Sequence, residues 1–124
     1  MKIKTIEWWN KLPKNEDTDV TAIEGDTVCY IDGIAFLIQR KNGFNNVVCW
    51  KVKTSRKNIV DTFYTFRAFC EKKKIQYTRV EGIGKHHYMM LYLVLKRCPE
   101  YVNIVYNKDE SEEYGRHIWY IKNY

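Results

Sequence analysis

Residues 46–80 read NVVCWKVKTSRKNIVDTFYTFRAFCEKKKIQYTRV. The opening run, Asn46–Val52, carries Val47, Val48, Cys49, Trp50 and Val52, the near-continuous apolar content of a buried strand. Ser55 then stands as a helix cap. Ile59, Phe63, Phe66 and Cys70 follow at spacings of four, three and four, with Val60 and Phe69 widening the stripe. That spacing predicts an amphipathic helix over Ser55–Lys74, with Lys72–Lys74 suiting the negative end of its dipole. Ile75–Val80 reads as a second strand. The unit has the length of a right-handed parallel crossover, so 46–52 and 75–80 are expected to run side by side in the same direction. A pocket is expected where the first strand hands over to the helix.

On the N-terminal side, Thr27–Ile31, the turn dipeptide Asp32-Gly33 and Ile34–Arg40 predict a hairpin. Asn42-Gly43 predicts a second turn, so three antiparallel strands lead into the crossover helix. Ile3–Leu12 is expected to form a short helix that Pro13 ends, and Lys14–Asp26 to form a loop or to hold one more helical turn. Trp8 and Trp9 are costly to expose near a terminus and are expected either to be tethered to the core or to join an interface. On the C-terminal side, Gly82-Ile83-Gly84 makes a turn. His86–Cys98 is rich in Leu and Met and is expected to be a buried helix stopped by Pro99. Asn103–Tyr106 and Arg116–Lys122 are expected to form a hairpin across an acidic connection, Lys108–Gly115. The reading is an α+β fold with a mixed central sheet, in the order β-β-β-α-β-α-β-β. It is one domain over 1–124, with an N-terminal arm or helix in 1–26 and a core over 27–122.

The 124 residues are 45% apolar and 29% charged, values that exclude a disordered chain. The net charge of +6 is uneven: residues 33–98 hold fourteen of the twenty-one Lys and Arg but three of the fifteen acids. Such a middle attracts a polyanion, or is a solvated lysine-rich surface. Cys29, Cys49, Cys70 and Cys98 form no C-x-x-C pair and are expected to be free thiols in a reducing cytoplasm. Met1–Trp9 lacks the apolar core of a secretory leader, and Met89–Leu95 is too short to span a bilayer, so no membrane role is expected.

The element order resembles the GNAT family of N-acetyltransferases over residues 27–122. The resemblance implies that the loop after Asn46–Val52 and the next helix N-terminus grip the pyrophosphate of acetyl-CoA, and that Ile75–Val80 splays away to open a cleft. In the family that loop is glycine-rich. Here it reads Val52-Lys53-Thr54-Ser55-Arg56-Lys57-Asn58, with no glycine for close phosphate approach. Cofactor binding by resemblance therefore falls to Trp50, Lys53, Ser55, Arg56 and Lys57. Leu91-Tyr92 stands roughly where the family places a tyrosine as general acid on the departing thiolate. No acid occurs in residues 33–60, so Glu81 is the nearest alternative base.

Other chemistry is sparse. His86-His87 are adjacent and point apart, which is awkward for one metal, and no metal site is expected. Arg40, Lys41, Lys51, Lys53, Arg56 and Lys57 form a run of positive charge with no acid between them, an anion or nucleic-acid footprint if they share a face. Phe44, Tyr77 and Trp119 are the candidate stacking aromatics, Phe44 being the most exposed by pattern.

The sum favours a degenerate, non-catalytic acetyltransferase-like module that needs no cofactor. It would bind a protein or a nucleic-acid backbone, and its composition suggests a phage virion component or host-directed effector. The alternative is an acetyl-CoA-dependent N-acetyltransferase with Tyr92 as general acid.

Overall fold

The computed structural model describes residues 1–13, 20–41, 44–51, 59–82, 92, 94, 96–97 and 103–124. Its elements in chain order are β1 (Lys2–Lys4), α1 (Ile6–Asn10), β2 (Thr27–Ile31), β3 (Ile34–Lys41), β4 (Phe44–Lys51), α2 (Ile59–Lys72), β5 (Tyr77–Gly82), β6 (Asn103–Tyr106), α3 (Lys108–Tyr114) and β7 (His117–Lys122). The strands make one mixed sheet in the order β1-β2-β3-β4-β5-β7-β6.

In the deciding stretch the relative direction of the two strands is as expected, and residues 52–58, with the expected Ser55 cap, lie outside the described residues. β4 and β5 are parallel, from Asn45↔Thr78 to Val48↔Glu81, with α2 between them in the chain. Every other pairing is antiparallel. β2 and β3 meet at Ile31↔Ile34, across Asp32 and Gly33, which both have positive φ as a type I′ turn requires. Lys41↔Phe44 closes the second hairpin around residues 42–43, which lie outside the described set. The β4–β5 register ends at Val48↔Glu81, while β5 stays paired with β7 as far as Gly82↔His117.

α2 packs on one face of the sheet. Phe36 from β3 stacks on Phe66 at 4.4 Å between ring centroids and meets Phe63 edge-on at 5.7 Å. Cys29, Ile31, Ile38, Val47, Cys70, Val80, Val94 and Ile121 complete this core. Val94 is helical, as are Tyr92, Lys96 and Arg97; the rest of the expected His86–Cys98 helix lies outside the described residues.

The opposite face is covered over β2–β4 by the N-terminal arm. Trp9 is buried against Val28, Ala35, Leu37 and Val48, and its indole Nε1 donates to the Val20 carbonyl at 2.9 Å. Asn10 and Ala22 exchange two hydrogen bonds that hold the returning chain. Trp8 packs edge-on against Tyr30. The tryptophan pair is thus tethered to the core. Covering on both faces is why β3 reads as the unbroken apolar run Ile34–Ile38.

Three expectations need correction. Lys2–Lys4 is a strand on β2, and the helix starts only at Ile6, because the Thr5 hydroxyl caps it by accepting from the Trp8 N–H at 3.0 Å. Lys108–Tyr114 is a helix, so the last hairpin carries α3 where only an acidic connection was expected. The Asn107 side chain caps it, Asp109 and Glu110 favour its N-terminus, and Gly115 ends it at φ 63°. β5 runs over Tyr77–Gly82, two residues later than expected, because a turn at Lys73–Gln76 separates it from α2. There the Ile75 N–H reaches back to the Cys70 carbonyl and Lys74 takes positive φ.

Candidate functional site

Strand alternation sorts the side chains of β4, β5 and β7. Val47, Thr78, Val80, Trp119 and Ile121 face α2. Asn46, Val48, Tyr77, Arg79, Glu81, Ile118 and Tyr120 face the other way. On that second face the registers Asn46↔Arg79 and Arg79↔Tyr120 put three polar groups in one row.

Arg79 is the hub of this row. Its Nη1 donates to Glu81 Oε2 at 2.6 Å and to Asn46 Oδ1 at 2.7 Å, and its Nε donates to Glu110 Oε2 at 3.3 Å. Arg116 Nη1 and Asn46 Nδ2 reach Glu81 Oε1 at 3.3 and 3.4 Å. Tyr120 donates its hydroxyl to Glu110 at 2.7 Å. Burial works against the Arg79 charge, but the hydrogen bond and charge of Glu81, with Glu110 behind them, outweigh it and raise its pKa. Burial, then the hydrogen bond to Glu110, pushes the Tyr120 hydroxyl up.

Glu81, the sequence candidate for a general base, therefore has both oxygens engaged. Its side chain is 12% exposed, lying inside the sheet face and not in an open turn. Of its partners only Arg79 shares its strand; Asn46 is contributed by β4, and Arg116 follows α3 in the chain. The cluster's one local signature in sequence is the alternation Tyr77, Arg79, Glu81, which marks a polar strand face.

The expected cofactor residues fare unevenly. Trp50 and Lys51 lie at the C-terminal end of β4, Trp50 opposite Ala35 and Lys51 opposite Ile34. Lys53, Ser55, Arg56 and Lys57 lie outside the described residues. Tyr92 is half-buried and helical, with the Lys96 ammonium 4.8 Å from its ring centroid. Burial pushes the thiols of Cys29 and Cys70 up to about 12, so neither is a nucleophile near neutrality. Among the described residues no group of three or more His, Cys, Asp or Glu can hold a metal ion. Among them, too, no helix is long and apolar enough to cross a membrane.

The run of basic residues divides between the two ends of β4. Arg40 and Lys41 end β3 beside Phe44, whereas Lys51 ends β4, seven residues and roughly 23 Å away at strand rise. At the Arg40 end the fold supplies other cations. Lys72–Lys74 precede β5, and Lys122 pairs with Tyr77 across β5 and β7. Trp119, a candidate stacker, is buried against Tyr106 on the α2 face. Tyr120, its neighbour on the other face, is the exposed one, and sequence reasoning missed it. Compared with known proteins, the chain matches no family model, no curated protein and no solved structure.

Proposed function

We propose that this chain is an acetyltransferase-like domain that works as a binding module and not as a catalyst. The likeness rests on a three-strand meander, a parallel strand pair joined through a helix, and a terminal hairpin. The observation that carries the non-catalytic half is the state of Glu81. It is the described carboxylate nearest the C-terminal end of β5, and Arg79, Arg116 and Asn46 occupy both of its oxygens. A general base needs an open lone pair within reach of the proton it takes. No acid in residues 33–60 offers a replacement. The loop without glycine supports the same reading, since backbone N–H groups cannot approach phosphate as closely past side chains.

The alternative, acetyl transfer with Tyr92 as acid and Ser55, Arg56 and Lys57 holding the pyrophosphate, is separated by calorimetry with acetyl-CoA. The binding-module reading expects no heat at millimolar cofactor. Micromolar binding that is abolished by charge reversal at Arg56 and Lys57, together with acetylation of an amine, would overturn it.

A further inference from the structure

The face of the sheet opposite α2 is covered unevenly. The N-terminal arm lies over β2–β4, and α3 contacts β7 through Ser111, whose hydroxyl accepts from the Ile118 N–H at 3.0 Å. No described element covers this face at the ends of β4, β5, β7 and β6 nearest Lys41. Phe44, Tyr77, Val105 and Tyr120 are all exposed there, Tyr77 at 60%.

These residues are neighbours by register. Phe44 and Tyr77 each stand one residue before the first β4–β5 pair, Asn45↔Thr78, on adjacent strands. Tyr77 pairs with Lys122, which puts Tyr120 on the diagonal at about 7 Å. Val105 lies opposite Tyr120. A groove of about 230 Å³ runs between Tyr77, Thr78, Val105, Tyr120, Ile121 and Lys122. The Tyr120 ring is fixed in advance, because its hydroxyl is held by Glu110 and Glu110 by Arg79.

Cations frame the aromatics. Lys41 and Lys122 stand in the same row as Phe44 and Tyr77, with Lys41 exposed. Arg40 and the exposed Lys72–Lys74 turn lie at the same end of the sheet. The C-terminus secures this end: Asn123 Nδ2 donates to the Ile75 carbonyl and its N–H to the Gln76 carbonyl. The acids Asp109, Glu110, Glu112 and Glu113 lie on α3, which meets β7 at Ile118 and, through Glu110, at the Tyr120 hydroxyl. Their charge would repel a polyanion from α3 and leave it the row of Lys41, Phe44, Tyr77 and Lys122.

We infer that this open face is a stacking platform for single-stranded nucleic acid. Bases lie on Phe44, Tyr77 and Tyr120, and phosphates are met by Lys41 and Lys122. A second protein would bury the aromatics equally well, but it has no general need for a rim of cations. Rings interleaved with lysines suit a strand that alternates a flat apolar base with a charge. The inference rests on reading the domain as a binding module and names its partner. Acetyl-CoA calorimetry tests that underlying reading separately.

The test is fluorescence anisotropy with a labelled oligothymidylate of about twelve nucleotides, within the site sizes such platforms take, and a duplex of the same length, at several salt concentrations. The single strand is expected to bind more tightly than the duplex. Tyr77→Ala and Phe44→Ala are each expected to weaken it by about five-fold or more, as removal of one base stack does. Lys41→Glu with Lys122→Glu should flatten the salt dependence by about 0.7 for each phosphate that is no longer neutralised. These positions are at the surface, and unchanged thermal melts will verify that the variants fold. Absence of binding at low salt overturns the inference while leaving a module with a protein partner. Equal affinity for duplex and indifference to Tyr77→Ala overturn it too, as would self-association that Tyr77→Ala abolishes.

Discussion

Glu81 offers the sharpest separation between a structural and a catalytic carboxylate. The perturbation is a double-mutant cycle between Arg79→Met and Glu81→Gln. The Arg79 and Glu81 side chains are 13% and 12% exposed and meet at 2.6 Å, so solvent screens the pair poorly. Breaking a buried pair from one side costs about 3–5 kcal/mol, most of it from the charge left behind. Here each survivor keeps a partner: Glu81 retains Arg116 at 3.3 Å and Arg79 retains Glu110 at 3.3 Å. The cost therefore falls just below that range, to about 2–3 kcal/mol for each single change. The double variant should lose less than the sum by about 1.5 kcal/mol, because neither charge is then stranded. Urea denaturation at pH 7 measures all four corners, and the coupling should survive half-molar salt. A catalytic carboxylate held in an open site predicts the reverse, namely that Glu81→Gln leaves stability unchanged or improved. That result, or additivity within about 0.5 kcal/mol, would refute the reasoning.

Three further outcomes follow from the packing. Cys29 and Cys70 keep their protons in the folded state up to about pH 12, whereas an unfolded thiol releases its own near 9. The unfolded chain therefore holds fewer protons above pH 9, and the stability present below that pH is lost progressively between 9 and 12. Cys70→Ala should reduce the slope of stability against pH there by one proton, about 1.4 kcal/mol per pH unit, in denaturant titrations. Lys74 holds φ at 59° where α2 ends, so Lys74→Gly should raise stability by about 1 kcal/mol and delay urea unfolding. Phe36→Ala empties the space against both Phe63 and Phe66 and should cost about 4 kcal/mol; a cost under about 2 kcal/mol in the same melts would mean that the α2 core repacks.

Some of this is legible in the chain. The Phe63, Phe66 and Cys70 stripe can lie only on an apolar sheet, and all three are buried as the spacing demands. Asp32-Gly33 announces its turn because few other dipeptides accept two positive φ angles. α3 carries a legible signal as well, since Asn107 stands three residues before Glu110 at capping spacing. The acidic composition of Lys108–Gly115 masks it, because a run of charge reads first as a solvated connection. The role of Glu81 is hidden for a different reason. Of its partners, Arg79 is two residues away, but Asn46 and Arg116 are thirty-five away on either side. No local pattern reports such a meeting.

Local periodicity and turn chemistry act over a few residues, so the chain alone determined the meander, the crossover helix, the direction of the β4–β5 pair and the terminal hairpin. Which end of the sheet each charge occupies was decided only in three dimensions. Arg40 and Lys51 are close in sequence, yet an extended strand carries them to opposite ends. Lys122 is far from Lys41, yet strand pairing brings it into the same row. Sheet registers join residues distant in the chain and are chosen by how whole faces bury, and they decide whether Tyr120 or its neighbour Trp119 meets solvent.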